Sequence, residues 1–207
     1  MTSPGGAGVL NLGGNWVMDK AKSTGLDAVL TLQGIGWLTR KAVTASTVNL
    51  KITQGSHADT DGVESTEWIT LEQVLTGGLR GAPEVRSLSW ADFKHDDTLF
   101  GPVIVRSHYV PGAKKPDGRI YPVLEVQTQV DRFNIESWLT AAVITDQKTD
   151  NLEKAFMHDY ICSVSTGWTA EQVWALETTE EGTLLTRKVA VVKGFSTETA
   201  HVFYKRQ

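Results

Sequence analysis

The chain has a single cysteine, Cys162, among 207 residues. No internal disulfide is therefore possible, which agrees with a reducing, cytoplasmic setting. Excess positive charge is missing as well: 20 Lys and Arg stand against 24 Asp and Glu, for a net charge of -4. That balance gives no reason to expect nucleic acid or an anionic membrane as a partner. The N-terminal MTSPGGAGVLNLGG has neither a basic start nor a long apolar run. It reads as a flexible tail over residues 1–12, not as a signal peptide or a membrane span. The chain also lacks a Gly-rich phosphate loop, a Gly-x-Ser-x-Gly elbow and a Cys-x-x-Cys pair. Nucleotide cofactors and covalent Ser or Cys catalysis are thus unsupported, and no cofactor is expected.

What is present fits one soluble domain over residues 13–207: 41% hydrophobic, 21% charged, and long enough to bury a sizeable core. Most of the chain reads as strands of six to ten residues separated by turn residues. A short first strand spans 15–19. Others follow at 48–54, 64–75, 101–110, 120–130, 137–145, 156–164, 171–178, 183–192 and 199–206. Gln54-Gly55-Ser56, Pro116-Asp117-Gly118 and Glu181-Gly182 mark turns between some of them. Residues 26–42 are the main helical stretch. Asp27 suits its first turn, and Leu26, Leu30, Ile35 and Leu38 suit a face toward the core. Gly34 and Gly36 divide it into two short helices. Ten short strands with an early helical pair predict an all-β, antiparallel up-and-down barrel with a helix-turn-helix lid.

Two segments exceed a minimal barrel. Residues 76–100 carry Gly77, Gly78, Gly81 and Pro83, then Leu88, Trp90, Phe93 and Phe100; residues 146–154 are the other. Long connections in a compact domain are commonly lids or partner contacts, so the first could cover the barrel mouth or support a homodimer.

Gly14-Asn15-Trp16, the helical pair ending in Thr39-Arg40-Lys41, and the closing AHVFYKRQ resemble the intracellular lipid-binding proteins of the calycin superfamily. The resemblance implies a barrel that encloses a small hydrophobic molecule. It also implies an Arg-x-Tyr on the last strand that holds a carboxylate. Here His201-Val202-Phe203 occupies that position, and Tyr204 and Arg206 come in the wrong order. No Arg stands on the strand 171–178 either. Arg is the side chain suited to a carboxylate's two oxygens, so the pattern argues against a conventional fatty-acid carrier.

Candidate site residues follow from strand alternation. On 102–110, one face carries Val103, Val105, Ser107 and Tyr109; the other carries Ile104, Arg106, His108 and Val110. If the second face points inward, His108 is an acid or base near neutral pH, and Arg106 holds an oxyanion. If the first does, both are solvated. His201 is inward by the resemblance or a surface side chain by the alternative register. Glu125 is a general acid in a buried wall or part of a wet strand face with Gln127 and Gln129. Trp37, Trp68, Trp174, Phe203 and Tyr204 are candidates to line the ligand. His95-Asp96-Asp97 has ligand-type side chains, but no second cluster at fitting spacing accompanies it, so a solvated turn and no metal are expected.

Two functions remain open. One is a cofactor-free cyclase or isomerase that folds a polyketide- or terpenoid-like intermediate and moves a proton. The resemblance allows it, since calycin-like barrels include natural-product cyclases. The other is a non-catalytic carrier of a lipid or retinoid-like ligand.

Overall fold

A computed structural model describes residues 8–57, 66–77, 80–130, 133–145 and 152–207. Among the described residues, twelve strands and three α-helices follow one another in the order β1 (Gly14–Met18), α1 (Leu26–Leu32), α2 (Trp37–Ala45), β2 (Val48–His57), β3 (Thr66–Leu75), β4 (Glu84–Ser87), β5 (Phe93–Asp97), β6 (Gly101–Val110), β7 (Gly112–Lys114), β8 (Ile120–Pro122), α3 (Ile135–Leu139), β9 (Phe156–Ser163), β10 (Thr169–Thr179), β11 (Gly182–Lys193) and β12 (Ser196–Arg206). Ten of the strands form one antiparallel sheet, ordered β4-β3-β2-β1-β12-β11-β10-β9-β6-β5. It curls into a nearly closed barrel whose edge strands, β4 and β5, meet across a seam. The chain between them crosses that seam: Leu88 N–H donates to Glu67 O, and Trp90 N–H donates to Ser107 O.

The ten-strand barrel is as expected, but two of its members are not. The segment 76–100, read as a connection beyond a minimal barrel, supplies the wall strands β4 and β5. The expected strands at 120–130 and 137–145 are outside the barrel. Among the described residues there, Ile120–Pro122 pairs with β7, Val143 forms a single bridge to Ile120, and Ile135–Leu139 is helical. Part of the 64–75 strand and residues 146–151 of the second long segment lie outside the described residues.

Alternation along the strands separates two cores. The inward core contains Trp16, Leu50, Ile69, Val103, Val105, Met157, Ile161, Trp174, Leu185, Val191, Val202 and Tyr204. The outward core lies on the opposite faces of β9, β10 and β11. There Phe156, Val173, Ala175, Ala190 and Val192 pack beneath Ile120, Ile135, Leu139 and Val143. Residues 111–130 and 133–145 therefore form an outer layer, which is why the central strands read as apolar on both faces.

The lid is α1 and α2, joined through Gly34, whose φ is +88°. Val29 and Leu30 of α1 are buried, and Ile35 closes the turn. Leu38, expected on the core face, is exposed. Gly25 precedes α1 at φ +79°, and a Cβ there would run into the Thr199 carbonyl oxygen. At the other end of β1 the expected loose tail is a packed plug from Gly8 on. Val9–Asn11 forms a 3-10 turn, Val9 and Leu12 are fully buried, and Gln54 binds the Leu12 N–H and the Val9 carbonyl.

Candidate functional site

The barrel interior is not uniformly apolar. Arg86 on β4 is buried among acceptors: its Nε donates to Glu84 Oε2 at 2.9 Å and its NH1 to Asp159 Oδ2 at 3.1 Å. Asp159 also accepts from Ser107 Oγ at 2.7 Å and from the Trp174 indole N–H at 2.7 Å. Burial opposes the Arg86 charge, but Glu84 and Asp159 outweigh it and raise its pKa. The network ties β4 to β6, β9 and β10, bracing the seam from inside.

A second arginine faces the same interior. Arg187 on β11 stacks over the Trp174 ring, 4.2 Å from its centroid. Its Nε donates to Gln172 Oε1 at 3.1 Å, and its NH1 to the Tyr204 hydroxyl at 3.3 Å. Arg187 and Val189 stay partly exposed, whereas Leu185 and Val191 on the same inward face are fully buried. One solvent-reachable part of the interior is therefore beside Arg187. A guanidinium has five N–H donors. Gln172 and Tyr204 take three of them, leaving two to meet an anion.

The sequence candidates distribute unevenly over this geometry. Trp174 and Tyr204 face inward and are buried in the core. Arg106 and His108 do not, because the inward face of β6 is Val103, Val105, Ser107 and Tyr109. Arg106 pairs on the outside with Asp92 at 2.5 Å, which raises its pKa. His201 and Phe203 lie on the outer face of β12, 4.2 Å apart between ring centroids, because Ala200, Val202 and Tyr204 take the inner one. His201 Nε2 lies 3.6 Å from Glu177. Glu125 is exposed on the outer layer, whose packed side is Leu124 and Val126. Trp37 on α2 is 64% exposed. Trp68 lies on the outside of β3 against His57, at 5.8 Å between centroids. Sequence reasoning missed Arg86 and Arg187. Arg187 was legible in principle, since Leu185, Val189 and Val191 share its face.

Outside the barrel, His108 ends a three-residue chain. His158 Nε2 is 2.9 Å from Glu171 Oε1, and His158 Nδ1 is 3.2 Å from His108 Nε2. Glu171 is fully buried and also accepts the backbone N–H groups of Gln127 and Thr128. A carboxylate acceptor assigns the proton to His158 Nε2, so His158 Nδ1 accepts from His108 Nε2 and the lone pair is left on His108 Nδ1. Burial, reinforced by the neighbouring His158, pushes the His108 pKa down to about 4. Trp90 covers both rings, 4.1 Å from His108 and 4.9 Å from His158, with its backbone at φ +63°. A tryptophan in the left-handed region is strained, and the stacking holds it there.

Solved structures carry the same architecture. The fluorescent protein UnaG matches with a TM-score of 0.52 and 13% identity, over 96% of this chain and 99% of its own. The likeness is one of fold. The REP1-NXSQ fatty acid transporter matches this fold with a TM-score of 0.51 and 12% identity, over 96% of this chain and 98% of its own. As-p18, an extracellular fatty acid binding protein, does so with a TM-score of 0.50 and 12% identity, covering 94% and 95%. No family model and no curated protein matches the sequence. Among the described residues, no helix is long and apolar enough to cross a membrane.

Proposed function

We propose that the barrel binds a small, largely apolar molecule with an acidic end, and that Arg187 and Tyr204 hold the acid. The carrying observation is the inward, partly exposed Arg187, placed 3.3 Å from the Tyr204 hydroxyl and stacked on Trp174. The family's Arg-x-Tyr is absent from the last strand, but an Arg-Tyr pair is assembled across β11 and β12, whose register sets Leu185 opposite Tyr204 and Arg187 opposite Val202. This supports the carrier of a lipid or retinoid-like acid over a neutral ligand. The free cysteine suits a cytoplasmic carrier. Two of the matching proteins are named for fatty acids, which is in keeping with this choice. Native mass spectrometry of the purified protein tests it. The expected result is a bound organic acid of low mass, released by denaturation and depleted in Arg187→Met. A neutral lipid retained equally by both proteins would refute it.

A second reading, a cofactor-free cyclase or isomerase acting on a polyketide- or terpenoid-like intermediate, draws on the Glu171-His158-His108 chain. It makes His108 Nδ1 the base, positioned through His158 by Glu171, and moves the chemistry to the outer face beneath Trp90. His201, Arg106 and Glu125 have no part in it. Its test is turnover: His108→Ala would retain substrate binding and lose conversion. Equal conversion by wild type and His108→Ala would dismiss it.

A further inference from the structure

The seam between β4 and β5 holds a second cluster of chemistry-bearing side chains. Direct pairing puts His95 opposite Val103, and Glu84 opposite Leu71, so both side chains point into the barrel with their partners. Asp97 lies two residues beyond His95 on the same face of β5. One donor atom from each of Glu84, His95 and Asp97 lies within 4.8 Å of the other two. His95 has only 8% of its side chain exposed, and its Nε2 is buried without a hydrogen-bond partner. That is a costly state for an imidazole nitrogen unless something else coordinates it.

The two carboxylates are already oriented. Arg86 holds Glu84 through Oε2, and the N–H groups of Leu99 and Phe100 hold Asp97 through Oδ1, at 2.7 and 2.8 Å. Outer partners of this kind fix metal ligands in place. His95 Nε2 and Asp97 Oδ2 are 4.0 Å apart, too far for a hydrogen bond, yet an ion about 2.0–2.2 Å from each donor fits between them. Charge points the same way. Arg86 is one guanidinium against two carboxylates, Glu84 and Asp159, and Asp97 beside Glu84 adds a third, so a divalent cation would offset the remainder. One imidazole with two carboxylates and no thiolate favours a first-row transition ion over Mg2+ or Ca2+, which prefer all-oxygen sites.

We propose that Glu84, His95 and Asp97 bind one divalent first-row transition ion, which joins the two edge strands across the barrel's seam. Glu84 comes from β4 while His95 and Asp97 come from β5, so the ion supplies a link that backbone pairing does not.

Calorimetric titration of the full chain with Zn2+, with Mg2+ as the control, tests this together with thermal melting. The expected result is one Zn2+ per chain, a raised Tm, and no comparable heat with Mg2+. His95→Ala and Asp97→Asn should each weaken Zn2+ by no less than the roughly 10–100-fold that losing an outer-shell partner costs. Absence of saturable binding, or affinity unchanged in both variants, overturns the site. Zn2+ binding without a rise in Tm overturns the link across the seam. Wild-type protein alone gives a further readout if a variant fails to fold. The imidazole resonance displaced by Zn2+ must show contacts to the Phe93 ring, which stacks on His95 at 5.9 Å. Displacement of the histidine facing Trp68, Trp90 or Phe203 instead would place the metal elsewhere and overturn the proposal.

Discussion

Arg86 shows how much of the barrel depends on single side chains. It is the cation for both Glu84 and Asp159, and all three residues are buried. Removing one partner from a buried ion pair leaves an uncompensated charge, which costs about 3–5 kcal/mol. Arg86→Met should therefore lower unfolding stability by about that much in urea titration. Adding Asp159→Asn to it should cost less than the sum of the two single changes. His108 sets a pH dependence of known sign. Its pKa falls from an ordinary 6.5 to about 4 because burial and His158 disfavour the charged ring. The unfolded chain then binds the proton more readily, so stability is present above pH 6.5 and is lost as pH falls toward 4. Chemical denaturation across that window should show a shallower slope in His108→Asn than in wild type. Between these two residues, sequence and structure part company. His108 stood out because a histidine on a strand attracts notice, whereas Arg86 sat in a stretch that read as a loop.

At the scale of elements, legibility tracked length and covering. Strand β6 has the bounds expected of it, Gly101–Val110, and β9 to β12 fall within a few residues of theirs. The lid was legible because Gly34 and Gly36 interrupt a helical pattern, although α2 keeps Trp37 and Leu38 in solvent. Strands β4 and β5 were not legible because their pattern is inverted. Glu84, Arg86, His95 and Asp97 point inward, while Val85 between the first two is 55% exposed. Ion pairing inside the barrel makes that inversion tolerable, and no alternation rule anticipates it. The reverse happened at Leu124 and Val126, whose alternation is real but packs onto the barrel's exterior. The face of β6 was ambiguous for the same reason: a covered exterior wants apolar residues too. Two substitutions test these elements. Leu139→Ala in α3, at a fully buried position, should cost about 2–5 kcal/mol by emptying the outer core. Gly25→Ala should be destabilising despite its small size, since the backbone is left-handed and the Thr199 carbonyl blocks the Cβ. Thermal melts of both variants check the two expectations.

For the whole molecule, the barrel and its outer layer divide the labour. Residues 111–130 and 133–145 cover β9, β10 and β11 from outside, so those strands carry Arg187, Trp174 and Asp159 inward on a wall buried on both sides. The plug at Val9–Leu12 and the α1–α2 lid limit access to the interior. Fold was legible from the N-terminal pattern, and the site was not. Which side chains meet inside a barrel depends on register and shear, and one residue of slip reverses every face. The central claim is that Arg187 and Tyr204 recognise an acid inside this container. Its most direct test compares the binding of a long-chain carboxylate and of the matching alcohol to delipidated wild type and Arg187→Met. A charge-assisted hydrogen bond contributes about 1.5–3 kcal/mol, so the substitution should weaken the carboxylate by roughly 10- to 100-fold. The alcohol should change little. Equal weakening of both ligands, or none of either, would contradict the claim.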